Sequence, residues 1–269
     1  MVRWFVISLA ACASCAGQWN ATPFAPDSAP LPSADLREVL GLLCPGHEYI
    51  GQESGCHVCP AGTKAAGAKA DASIETVIRG RFLKPDSDDL LVVLYGCGSA
   101  LLTHSTSGWF VNRVTGVPDG LCRKVPGRMG RDGLVCFADS SSADRQSARL
   151  AFGFVPESQV DLAAAFDNTG GACDAPRRVV VQSAIREVRF IPGAAGKLTV
   201  RILANCRRGP LSARSSKACA RGAGFEDISP AVPFRAFQID YGFDGEKFSL
   251  AAASQAVKRA YDVCSAEVK

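Results

Sequence analysis

The chain has 269 residues, 47% of them hydrophobic and 21% charged, a globular composition long enough for one or two domains with a real core. Thirty Lys and Arg stand against 26 Asp and Glu, a net charge of +4. So mild an excess argues against a nucleic-acid binder and leaves at most a weak attraction to anionic surfaces.

Residues 1–17, MVRWFVISLAACASCAG, read as a signal peptide: Arg3 supplies a short positive start, Trp4 to Ala11 an apolar run, and small residues follow. The run falls short of the roughly 20 apolar residues that span a bilayer. Two processing routes compete. Ser14 and Ala16 suit cleavage after Ala16, whereas Leu9-Ala10-Ala11-Cys12 reads as a lipobox that would anchor the protein by a lipid on Cys12. Cleavage after Ala16 leaves ten cysteines, an even number as a disulfide framework requires, and places them in an oxidising compartment.

Residues 18–32, QWNATPFAPDSAPLP, are proline-rich without periodicity and read as a flexible linker carrying a sequon at Asn20. Residues 33–43, SADLREVLGLL, space Leu36, Val39, Leu40 and Leu43 as a helix, with Asp35 and Glu38 near its positive end. With residues 44–63, rich in Cys, Gly and Pro, this helix forms a small head (residues 33–63) that only staples can hold together. Residues 64–73 are a small polar connector.

From residue 74 to the end the texture is that of a β-rich domain. Strand-like segments (IETVIRGRF, DLLVVLY, SALLTHS, GWFVNRVTG, DGLVCFA, RLAFGFV, DLAAAF, RRVVVQSAIREVRFI, KLTVRILANC, FRAFQIDYGF and KFSLAAA) alternate with Pro/Gly/Asp turns. The expected fold is therefore mainly β, an antiparallel body, propeller-like or sandwich, with a disulfide-rich head and a short C-terminal helix from Ser254. Within DLLVVLY, Leu90, Val92 and Leu94 fall on one face and Leu91, Val93 and Tyr95 on the other, so this strand is expected to be central and buried on both sides.

Gly80-Arg81-Phe82, a polar loop, and Asp88-Asp89-Leu90-Leu91-Val92-Val93 together resemble one FG-GAP/VCBS unit, the repeat of integrin-type β-propellers. Trp109, Cys122-Arg123-Lys124 and Gly130-Arg131-Asp132-Gly133-Leu134-Val135-Cys136 extend the resemblance to secreted bacterial proteins built on such units, over residues 76–136. The resemblance implies a rigid extracytoplasmic binding body, and a loop that can hold calcium through Asp86 and Asp88; Lys84 and Pro85 stand where further oxygen ligands belong. Cys56-His57-Val58-Cys59-Pro60-Ala61-Gly62-Thr63 is similar to the C-x-x-C-P-x-G-T element of extracellular cysteine-rich repeats.

Three chemistries are open at the head. Cys44, His47, Cys56 and Cys59 have zinc-knuckle spacing and could form a closed Cys3His site. Alternatively, one head cysteine crosses to the body, making both counts even. Cys56 and Cys59 also read as a redox C-x-x-C, although Pro60-Ala61-Gly62 does not readily open the helix such chemistry uses. No G-x-S-x-G elbow is present, and His104, the one histidine outside the head, sits mid-strand among residues that alternate to opposite faces.

Residues 201–221 hold Arg201, Arg207, Arg208, Arg214, Lys217 and Arg221 with no acid between them, either a patch for an anionic polymer or envelope surface, or a solvated hairpin loop. Cys206 and Cys219 flank Gly209-Pro210 and are expected to bridge each other. The expected protein is an exported, secreted or periplasmic, non-enzymatic binding or structural protein without a cofactor. The rival is an envelope hydrolase or thiol oxidoreductase using Cys56 and Cys59.

Overall fold

The computed structural model describes residues 23–28, 31–44, 55–60, 63, 67–112, 120–141, 145–157, 159–169, 172–173, 179–194, 197–221 and 228–267. The signal peptide, Cys12, Asn20 and His47 lie outside the described residues. The protein is mainly β, with two antiparallel sheets and three α-helices among the described residues. Four disulfides are placed, and Cys44 is disulfide-bonded as well, which indicates an oxidising, extracytoplasmic environment. No described helix is long and apolar enough to cross a membrane.

Helix α1 (Ser33–Leu43) is followed by a five-stranded meander: β1 (Gly55–Val58), β2 (Lys69–Gly80), β3 (Asp89–Leu94), β4 (Gly98–Ser105) and β5 (Gly108–Asn112). β2 begins inside the segment that the sequence suggests is a connector. Every residue of β3 is buried, because the sheet is covered on both faces. Leu90, Val92 and Leu94 join Val77, Leu102 and Trp109 under the Val39, Leu40 and Leu43 side of α1. Leu91 faces the other way, with Ile78 and Leu101, onto the second sheet. Tyr95 lies just past the strand end and is exposed.

The second sheet is an eight-stranded up-and-down meander: β6 (Leu121–Pro126), β7 (Asp132–Ser141), β8 (Gln146–Gly153), β9 (Val160–Asp167), β10 (Val180–Pro192), β11 (Leu198–Gly209), β12 (Arg235–Phe243) and β13 (Phe248–Leu250). β7 is the wall shared by the two sheets. Its alternation sends Leu134 and Cys136 toward the first sheet, and Val135 and Phe137 into the second sheet's own core. β9 and β10 share a single registered pair, Gln182 with Asp167, and there the meander folds back on itself. Phe152 of β8 meets Phe243 and Phe248 of β12 and β13, and the Tyr241 hydroxyl of β12 donates to the Leu162 carbonyl of β9 at 2.7 Å. The turn after β6 touches the turn after β12 through Arg128 N–H to Gly245 O, 2.8 Å, so the sheet curls without closing into a barrel.

Helix α2 (Ala213–Cys219) sits beside the curl, and α3 (Gln255–Ser265) caps its core with Tyr261 and Cys264, as the 3.6-residue spacing of Val257, Ala260, Tyr261 and Cys264 leads one to expect. Residues 23–28 are not the linker that their prolines suggest. Phe24 is buried in the main core against Phe190, and Asp27 lies on the free edge of β6.

Candidate functional site

The cysteines decide the head chemistry first. Cys59 is bridged to Cys97 in the turn between β3 and β4, so a head cysteine does cross to the body, and Cys44 is also in a disulfide. Neither is available as a zinc thiolate, and Cys59 is not paired with Cys56. The Cys3His zinc set therefore lacks two of its ligands. The expected Cys206–Cys219 bridge is also corrected. Cys206 on β11 points into the core and meets Cys264 of α3, while Cys219, at the end of α2, meets Cys173. The segment between Cys206 and Cys219 is occupied by the end of β11 and by α2, whose turns carry the two sulfurs to different partners.

The FG-GAP-like loop between β2 and β3 is organised by a carboxylate that the ligand pattern passes over. Asp89 is fully buried and accepts from Phe82 N–H (2.8 Å), Leu83 N–H (2.9 Å), the Ser87 hydroxyl (2.6 Å) and the Thr103 hydroxyl (2.6 Å). Four donors satisfy one carboxylate without a cation. Asp88, one of the two expected calcium ligands, is forked by Arg79, and this bond holds its carboxyl below its ordinary pKa against an opposing burial effect. Asp86, the other, is exposed in the loop. The loop does not bring Asp86 and Asp88 into a ligand set: among the described residues, no three His, Cys, Asp or Glu side chains converge on a possible metal position.

Beside this loop, an open cleft of about 400 Å³ lies between the sheets, lined by Arg79, Arg81, Ser87, Asp88, Lys124 and Asp132. Its groups are largely engaged with one another. Lys124 Nζ donates to the Arg79 carbonyl at 2.6 Å, and Asp132 accepts from Arg81 N–H at 2.9 Å. His104 lies nearby but is exposed; its ring packs edge-on against Trp109 at 4.9 Å. Among the described residues, no side-chain hydrogen bond joins the His104 ring to a hydroxyl or thiol.

The basic run of residues 201–221 divides cleanly. Arg201 is forked by Asp240 at 2.9 and 3.0 Å. Arg207 donates to Gln182 at 2.8 Å and stacks over the Phe234 ring at 4.2 Å; burial pushes its pKa down, with Asp167 opposing. Arg208 donates to the carbonyls of Val263, Cys264 and Ala266, where its charge complements the C-terminal end of α3. These three hold the fold together. Arg214, Lys217 and Arg221 are different: they are exposed, they recur at i, i+3 and i+7, and they share one side of α2 and the turn after it.

The platform under them is rigid. Ser212 caps α2 by accepting from Ser215 N–H at 3.1 Å, the Ser215 hydroxyl donates to Ser229 O at 3.1 Å, and Ser229 N–H returns to it at 2.8 Å. Ala172, Val180, Leu211, Ala218 and Ile228 form a small separate core beneath, stapled by Cys173–Cys219. The segment is therefore a built ledge and not the solvated hairpin loop that is the alternative reading of its sequence. The sequence shows the charges but not this platform, because ARSSKAC is too short and serine-rich to carry a helical period.

No protein-family model, no curated protein and no solved structure matches this chain.

Proposed function

We propose that this is an exported, secreted or periplasmic, non-enzymatic binding protein whose α2 ledge holds an anionic polymer of the cell envelope or its surroundings. The observation that carries the reading is the division of the basic run. Three of its six cations are spent on internal partners, while Arg214, Lys217 and Arg221 stand together, exposed, on a disulfide-stapled platform. Fixed cations at helical spacing suit a linear array of phosphates, sulfates or carboxylates, and a stapled platform loses little conformational entropy on binding. The signal-peptide-like residues 1–17 support export, and the alternative route leaves the same ledge on a protein tethered at Cys12. The FG-GAP-like reading belongs to the same proposal: β2 to β5 form a four-stranded antiparallel meander of the size of a propeller blade.

The test is retention of the protein on a sulfated polysaccharide column. The wild-type chain is expected to elute at higher salt than R214E/K217E/R221E. A control triple reversal at the exposed Lys84, Arg186 and Lys247, far apart in sequence, should elute like the wild type. Equal elution of all three proteins contradicts the reading.

A further inference from the structure

We infer that the cleft between the two sheets is a binding site for a small acidic zwitterion, of the class of free aspartate or glutamate, with its ammonium on Asp132 and its acid groups on Arg81 and Lys124.

The cleft forms where the end of β2 meets the start of β7. Arg81 and Asp132 exchange two hydrogen bonds there: Asp132 N–H donates to Arg81 O at 2.8 Å, and Arg81 N–H donates to Asp132 Oδ2 at 2.9 Å. That exchange fixes the Asp132 carboxylate in the cleft wall, and the residue is only 8% exposed. Its second oxygen, Oδ1, accepts no hydrogen bond among the described residues, and no cation there pairs with it. Nor is Oδ1 sealed in the interior, so it opens on the cleft that Asp132 lines. Asp89, on the neighbouring loop, shows what a carboxylate at this depth takes, which is four donors; Asp132 has one. A nearly buried carboxylate with an idle oxygen costs free energy until a donor reaches it, and a cationic donor gains most where water screens least. Gly80 keeps the approach clear. A β-carbon there would stand 2.6 Å from Phe82 Cζ and 3.1 Å from Asp132 Oδ2.

The remaining charges of the cleft leave two cations over. Arg79 and Asp88 neutralise each other in their fork. The Arg81 guanidinium is exposed and has no carboxylate partner among the described residues. Lys124 Nζ uses one of its three N–H groups on the Arg79 carbonyl at 2.6 Å, a bond that holds the ammonium at the cleft without neutralising it. Two cations thus stand with one carboxylate, and the complementary ligand carries one positive and two negative charges. Among the described residues no third metal-ligating side chain joins Asp88 and Asp132, which favours an organic ammonium over a metal ion. The volume, about 400 Å³, suits a small molecule and not a polymer. The site lies on other elements than α2 and does not rest on the polyanion reading.

Isothermal titration of the full chain with L-glutamate, glutarate and L-glutamine tests this. Glutarate lacks the ammonium, and glutamine lacks the second carboxylate. The wild type is expected to bind L-glutamate at least about tenfold more tightly than either. Asp132→Asn keeps an acceptor for Arg81 N–H but removes the charge. It should weaken L-glutamate binding at least about tenfold and leave glutarate binding undiminished. Arg81→Gln removes an exposed guanidinium with no partner to lose, so it decides the matter if Asp132→Asn does not fold; it should bring L-glutamate binding down toward that of glutamine. Arg186→Gln, exposed on β10, should bind like the wild type. No saturable binding of L-glutamate to the folded wild type, equal binding of L-glutamate and glutarate, or L-glutamate affinity unchanged in the folded cleft variants overturns the inference.

Discussion

Asp89 and Tyr241 show how this fold uses single polar groups. Asp89 gathers two backbone N–H groups and two hydroxyls around one buried carboxylate and so sets the β2–β3 loop. Asp89→Ala removes the acceptor and leaves the buried Phe82 N–H unpaired, a loss expected to be at least about 3 kcal/mol in urea or thermal unfolding. Because the carboxylate is satisfied by the protein, calcium addition or chelation should leave the wild-type melting temperature unchanged. Tyr241 closes the curl from β12 to β9, and burial pushes its phenol from 10.0 to about 12. A raised pKa means that the folded state favours the neutral phenol. Its contribution is therefore complete below about pH 10 and is lost as pH rises toward 12. Tyr241→Phe should cost about 1–3 kcal/mol at neutral pH by leaving the Leu162 carbonyl unpaired, and should flatten the alkaline decline in stability. Unchanged stability in either experiment would remove Tyr241 from this role.

At the scale of elements, α3 is held by three devices at once. Tyr261 packs on Phe237 with ring centroids 5.4 Å apart, Arg208 binds the terminal carbonyls, and Cys206–Cys264 closes a separation of 58 residues. By the loop-entropy relation such a bridge is worth about 4 kcal/mol. Cys264→Ser should lower the melting temperature and speed hydrogen exchange across α3, while the β2–β5 meander keeps its protection. Uniform protection would show that the bridge is redundant. Non-reducing peptide mapping should recover Cys173 with Cys219 and Cys206 with Cys264. α1, α3 and β3 are legible in the sequence because each carries its own apolar period. β6 is not: LCRKVP sets two adjacent cations between apolar residues and so breaks the alternation of a strand, and only the folded context shows that Arg123 stacks on Phe190 while Lys124 reaches Arg79. The segment 23–28 is hidden for the opposite reason. Its prolines signal a linker, and the one residue that anchors it in the core, Phe24, has no periodic partner nearby. Disulfide partners were illegible because separations of 46 and 58 residues depend on the topology and not on local spacing.

The whole molecule is a stack of layers: α1, the first sheet, the β6–β7 wall, the second core and α3. Staples pin the first sheet, the wall, the α2 ledge and the last helix. The fold class and the existence of a basic segment were readable from composition and alternation. Which cations are free was not, since that depends on Asp240, Gln182 and the end of α3 arriving from distant parts of the chain. Such a scaffold presents α2 as a fixed feature, and the charge of the ledge is what the proposed function rests on. The most direct test is the salt dependence of binding to a linear sulfated polysaccharide, comparing the wild type with R214Q/K217Q/R221Q. Each cation engaged with a polyanion adds about 1 to the slope of log affinity against log salt. The proposal predicts a wild-type slope steeper than that of the triple variant by about 3, with the fold of both proteins intact. Identical slopes, or affinity independent of salt, would contradict it.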